Sequence, residues 1–129
     1  MTYPFYCLFA AMLLLYLSKV PLAMAMSKEG DKGYDNRHPR DQQARLTGWG
    51  ERALAAHLNG FEITPVFAAA VITAHLFQAN PWWSSVWAAV FVLSRVIYIV
   101  AYLRDINLLR STVWMVGLAS CVALFILAM

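Results

Sequence analysis

The sequence predicts an all-α integral membrane protein, a four-helix bundle, and three observations carry that prediction. Hydrophobic residues make up 61% of the 129-residue chain and charged residues only 13%, against about 25% in soluble domains. Mean hydropathy is +0.58. The apolar residues gather in four stretches, at about 3–26, 52–78, 82–103 and 110–129, each long enough to cross a hydrocarbon core of about 30 Å. The charges gather between them, and a chain of this length is expected to form one domain over 1–129.

The first stretch ends near Lys19 and Pro21, which suit a cation snorkelling to the interface and a local kink. Ala23-Met24-Ala25 resembles a signal-peptide cleavage site, but no basic segment precedes the apolar run, so a retained transmembrane helix is expected. The segment 27–51 is polar and rich in Gly, Asp and Arg. It holds Lys28, Lys32, Arg37, Arg40 and Arg45, with Arg52 just beyond, out of ten Lys and Arg in the chain. Arg104 and Arg110 flank the third and fourth stretches. The positive-inside rule therefore places both loops in the cytoplasm and both termini outside. Glu29, Asp31, Asp35, Asp41 and Glu51 interleave with these cations, which argues against nucleic acid as a partner. Leu46, Trp49 and Leu54 are expected to cap the bundle from this loop.

Pro65 lies inside the second stretch, where a proline removes one backbone bond and bends a helix. Asn80-Pro81 leaves only a short turn, so helices two and three must be antiparallel neighbours. Trp82, Trp83 and Trp87 mark the outer interface. Residues 105–109 form a brief inner turn, and the fourth stretch is apolar after Ser120.

Polar residues inside the spans carry the functional reading. Arg52, Asn59 and Glu62 recur at helical spacing on one face of the second helix, and Arg95, Tyr98 and Tyr102 do so on the third. A carboxylate and a carboxamide at this depth cost several kcal/mol unless partners meet them. Counting about 1.5 Å per residue from the cytoplasmic ends puts Glu62 and Arg95 level, roughly 14 to 15 Å in, which predicts an Arg95–Glu62 ion pair within or between subunits. By the same count Asn59 is level with Tyr98, and Tyr102 and Arg110 stand at the mouth. Such a cleft, opening inward, suits a water-soluble ligand with several carboxylates and amides and an apolar co-substrate from the bilayer. Arg104 or Arg110 would lower a thiol's pKa and raise its thiolate fraction.

The alternative is structural: Arg95 and Glu62 neutralise each other to fix packing, with Asn59 as interhelical glue. A channel or proton-coupled transporter would need polar residues continuing outward, where only His75 and Gln78 are strongly polar. Cys7 and Cys121 read as packing residues. His38, His57 and His75 lack ligand spacing, so no metal site is expected, and His57 faces away from Asn59 as a packing or interfacial residue.

These residues together resemble the MAPEG family, the membrane-associated proteins in eicosanoid and glutathione metabolism. The likeness lies in Leu46-Thr47-Gly48-Trp49, Arg52 through Glu62 with Ala56-His57-Leu58-Asn59, Pro65-Val66-Phe67-Ala68-Ala69-Ala70, Ser94-Arg95-Val96-Ile97-Tyr98 with Tyr102, and Arg110-Ser111-Thr112-Val113-Trp114. Asp35-Asn36-Arg37 and Pro39-Arg40 look like its bacterial branch, which implies a bacterial inner membrane. The resemblance implies a homotrimer that binds glutathione as co-substrate between subunits through Arg52, Asn59, Glu62, Arg95, Tyr98 and Tyr102, with Arg110 stabilising the thiolate. It further implies conjugation of glutathione to hydrophobic electrophiles, or reduction of lipid hydroperoxides. The family also holds non-catalytic scaffolds and lipid-binding subunits of larger membrane complexes. One departure stands out: glutathione-using relatives commonly carry an arginine four residues before the asparagine, and here that residue is Ala55. Losing that cation removes a charge-assisted bond of about 1.5 to 3 kcal/mol. Arg52, one turn away, is the available replacement.

Overall fold

The computed structural model describes residues 1–129 as six helices and no strands. They are α1 (Tyr3–Leu17), α2 (Lys19–Lys28), α3 (Pro39–Arg45), α4 (Trp49–Leu76), α5 (Pro81–Leu103) and α6 (Asn107–Leu127). Helices α1 and α2 together form one apolar rod over Tyr3–Lys28, and with α4, α5 and α6 they give four helices long enough to span a membrane.

The first rod breaks at Ser18 because Pro21 has no N–H to offer the carbonyl of Leu17 and its ring crowds that carbonyl. Ser18 fills the gap. Its hydroxyl donates to the Leu15 carbonyl at 2.6 Å, and its oxygen lies 2.8 Å from His57 Nδ1. With the single hydroxyl proton committed to Leu15, Nδ1 must be the protonated nitrogen that donates. His57 is thus a buried cross-strut from α4 to the first span, with its ring edge-on to Phe61 at 5.1 Å.

Helix α4 begins at Trp49, earlier than expected, and runs through Pro65 without interruption to Leu76. It ends in a closed turn, with the Ala79 N–H donating to Ala74 O at 2.9 Å and the Gln78 N–H to His75 O at 3.1 Å. Helix α5 ends the same way through Ile106 to Ala101 and Asp105 to Tyr102, at 2.9 and 3.2 Å. This closure needs a left-handed residue, here Gln78 at φ 55° and Asp105 at φ 59° instead of glycine. Asn80 starts α5, its side chain accepting from the Trp82 and Trp83 amides, both at 3.1 Å, with Pro81 pre-set in the first turn. Short links at both ends of α5 leave it antiparallel to α4 and α6.

The main core joins α1, α4, α5 and α6 around Phe67 and Phe91, whose rings stack at 3.8 Å and 11°. Gly117 lets α6 approach α5, since a Cβ there would sit 2.8 Å from Ser94 Oγ. A smaller core of Leu22, Met26, Leu46 and Ala53 seals the loop end, with Leu54 packed against it. Trp49, expected to cap the bundle, is instead 39% exposed on the first turn of α4 and takes no part in that small core.

The loop is held by Gln42, only 2% exposed. Its amide donates to the carbonyls of Met26 and Gly33 at 2.9 and 2.8 Å and accepts from the Asp35 amide at 2.8 Å. Asp35 in turn accepts from the backbone amides of Arg37 and His38 at 2.9 and 3.0 Å, which holds its carboxyl below the ordinary value of 3.8.

Candidate functional site

Helix α5 carries Arg95 to the centre of the bundle, where it is 5% exposed. Its Nη2 donates to Asn59 Oδ1 at 2.9 Å, and Asn59 Nδ2 donates to Glu62 Oε2 at 2.8 Å. Asn59 can face only one way here: the oxygen toward the cation, the nitrogen toward the carboxylate. The expected direct Arg95–Glu62 ion pair is therefore absent within the subunit. The one ion pair is Arg45 with Glu29 at 3.6 Å, at the loop. Counting rises along each helix levels the Cα atoms but not the tip of a long side chain, and the arginine meets the residue one turn nearer the loop.

The array extends from Arg95 toward the loop end. The Arg95 guanidinium lies 4.1 Å from the centre of the Tyr98 ring, Tyr98 meets Tyr102 edge-on at 5.5 Å, and Arg110 from α6 lies 4.5 Å from the Tyr102 ring. Cation faces and ring faces alternate, each guanidinium resting on an electron-rich π surface. Five groups from three helices, together with Glu62, form one connected set: Glu62, Asn59, Arg95, Tyr98, Tyr102 and Arg110. Arg52 does not join it by a bond. Its Nε is buried with no hydrogen-bond partner.

Burial grades along the array. Arg95 and Tyr98 are buried, Asn59, Tyr102 and Arg110 half-buried, and Glu62 exposed on the outside of the subunit. A carboxylate left against lipid at this depth costs several kcal/mol. A cavity of about 270 Å³ lies on the other side of α4, lined by Lys19, Arg40, Gln43, His57, Leu58 and Phe61. Nothing in the spacing of Lys19, Arg40 and His57 pointed to their meeting, because they come from three separate elements, α2, α3 and α4. The cavity beside Arg95 holds about 10 Å³, room for about one water, and the stacked Phe67 and Phe91 lie beyond it.

Four apolar spans with an intramembrane cluster of cations, tyrosines and a carboxylate define a polytopic helical membrane protein. The profile of the MAPEG family matches residues 3–129, essentially the whole chain, and the protein belongs to that family. Membership gives it a general role in glutathione or eicosanoid metabolism at a membrane. Neither curated proteins nor solved structures returned a match.

Proposed function

We propose that the protein is a membrane-bound glutathione transferase or peroxidase acting as a homotrimer, and the observation that carries this reading is the array from Glu62 through Asn59, Arg95, Tyr98 and Tyr102 to Arg110. Three cations, Arg52, Arg95 and Arg110, stand against the one carboxylate, an excess that favours an anionic ligand. Glutathione has two carboxylates, one ammonium and one thiol. Glu62, oriented by Asn59, takes the ammonium. Arg95 and the unpartnered Arg52 take carboxylates, for which the guanidinium fork is suited. Tyr98 and Tyr102 supply hydroxyl donors, and Arg110 stabilises the thiolate.

The thiolate sulfur then attacks an electrophilic carbon from the bilayer, forming an S–C bond as the leaving group departs with its electron pair. With a hydroperoxide it attacks the O–O bond instead, and a second glutathione thiol completes the disulfide, releasing alcohol and water.

The exposed Glu62 supports assembly, since a neighbouring copy would remove it from lipid. A closed ring pairs two different faces at every interface. We assign the cavity of Lys19, Arg40 and His57 to the neighbour's half of the site. The termini lie outside the cytoplasm in this arrangement, with the loop and the site's mouth inside.

Glutathione is titrated into the detergent-purified protein while ultraviolet thiolate absorbance is followed. Saturable binding with a thiolate signal that disappears in Arg110→Ala is expected. Absence of binding at millimolar glutathione overturns the reading in favour of a non-catalytic scaffold or lipid-binding subunit, the alternative that Ala55 favours. Co-expressing Arg40→Ala and Glu62→Ala subunits tests the shared interface. Mixed trimers should regain part of the activity that both single variants lack.

A further inference from the structure

The outer end of the bundle holds a cavity of about 370 Å³ between the start of α1, the last turns of α4 and the first turn of α5. It lies about 22 Å from Asn59 of the inner array, counting along α4 to Ala74 at about 1.5 Å per residue. Its size falls within the range of small-molecule sites, which runs from about 300 to 1,000 Å³. Val71, Ala74 and Ala79 give it an apolar floor, and Tyr3, His75, Gln78 and two serines give it a polar rim. No Lys, Arg, Asp or Glu lines it.

Ser84 is the decisive residue. It is 5% exposed, and its Oγ has no hydrogen-bond partner. The other buried serines, Ser18, Ser94 and Ser120, return their hydroxyls to carbonyls one turn back at 2.6, 2.7 and 2.8 Å. Ser84 alone keeps a free donor, and it borders the cavity. Buried polar groups are almost always paired, so an unpaired hydroxyl on a residue that lines a cavity is the group a guest could satisfy once the side chain turns toward it. Ser85 donates to Pro81 O at 2.7 Å, which leaves its oxygen free to accept. The His75 ring is fixed in the wall by an edge contact to Phe5 at 5.1 Å. Gln78 occupies a left-handed backbone position that glycine would fill with less strain, and its amide lines the same rim.

We propose that this cavity binds the uncharged head of a glycerol-ester lipid drawn from the leaflet opposite the loop-bearing face. Ser84 donates to the ester carbonyl, and Ser85 and Gln78 meet the glycerol hydroxyls. The absence of ionised side chains disfavours a phosphate head, which would have nothing to neutralise it. The orphan hydroxyl disfavours a purely apolar guest. Trp82 and Trp83, 72% and 51% exposed at the same end, set the cavity at the headgroup level where ester carbonyls lie.

The assignment is independent of the glutathione reading, and the test is titration of the detergent-purified protein with a monoacylglycerol. Native mass spectrometry reads stoichiometry, and thermal unfolding reads stability. One lipid per subunit is expected, bound at least tenfold more weakly by Ser84→Ala and by Ala74→Phe. Lipid-free Ser84→Ala should melt no lower than the parent, since it loses only an unpaired hydroxyl. No adduct, equal binding by both variants, or a lower melting point for lipid-free Ser84→Ala overturns the proposal. Phosphatidylglycerol binding as tightly would show that head charge is not read, and a short-chain water-soluble glycerol ester binding as tightly would place the ligand in solution. Either result overturns the lipid assignment.

Discussion

Replacing Asn59 with alanine removes the one residue that touches both the buried guanidinium and the carboxylate. The Arg95 bond is charge-assisted, at 2.9 Å, and ends on a side chain 5% exposed, so its loss costs about 1.5 to 3 kcal/mol. The bond to Glu62 lies at the exposed edge of the subunit and adds about 0.6 to 1.7 kcal/mol, as side-chain hydrogen bonds within a bilayer do. Asn59→Ala should therefore destabilise the protein by about 2 to 5 kcal/mol. Equilibrium unfolding in mixed micelles, followed by tryptophan fluorescence, measures it. A cycle of Asn59→Ala and Arg95→Met isolates the pair, with an expected coupling of about 1.5 to 3 kcal/mol. Asn59→Asp is the sharper variant: aspartate still accepts from Arg95 but cannot donate to Glu62, and it sets two carboxylates three residues apart. It should retain more stability than Asn59→Ala. Were Arg95 paired directly with Glu62, Glu62→Gln would cost more than Asn59→Ala, and that order of effects, or a coupling below about 0.5 kcal/mol, refutes the relay.

Gln42→Leu should cost about 3 kcal/mol, because the carbonyls of Met26 and Gly33 and the amide of Asp35 all lose their partner, and limited proteolysis should then cut within 30–38. Gly117→Ala should cost about 1 to 3 kcal/mol by forcing a methyl to 2.8 Å from Ser94 Oγ, read as a lower melting temperature. Asp105→Gly should stabilise by about 0.5 to 1 kcal/mol, since a left-handed φ of 59° suits glycine better, with denaturant midpoint as the measure. The Asp35 carboxyl titrates lower in the folded loop than in the unfolded chain, so its contribution is complete above its ordinary value of 3.8 and is lost as pH falls through the folded value. Hydrogen exchange of the Arg37 and His38 amides should accelerate over that acid range, and Asp35→Ala should exchange fast at neutral pH as well.

Much of the array was legible before any coordinates, because apolar runs make intramembrane polar residues conspicuous and helical periodicity sorts them by face. Arg95, Tyr98 and Tyr102 share a side of α5 as their spacing requires, and Arg110 arrives beside Tyr102. The relay through Asn59 was not legible. Axial counting ranks depth along each helix, but the reach of an arginine and the rotation of one helix against another decide which neighbour it finds. The break at Ser18 had a visible cause in Pro21, but its consequence, a hydroxyl freed to hold His57, depends on which residue of α4 stands opposite. Gln42 and Ser84 gave no signal at all. A glutamine in a charged loop looks solvated, and a serine in a membrane helix looks satisfied by its own backbone.

The Phe67–Phe91 stack, both rings fully buried, sits between the inner array and the outer cavity. Rings packed this closely leave no room for water between them. A guanidinium held halfway into a bilayer, as that of Arg95 is, invites hydration, and a thread of water across the remaining thickness would let protons leak down any transmembrane voltage. Two aromatic plates face to face deny that thread a foothold, so the bundle can hold a charged side chain in its middle without short-circuiting the membrane that houses it.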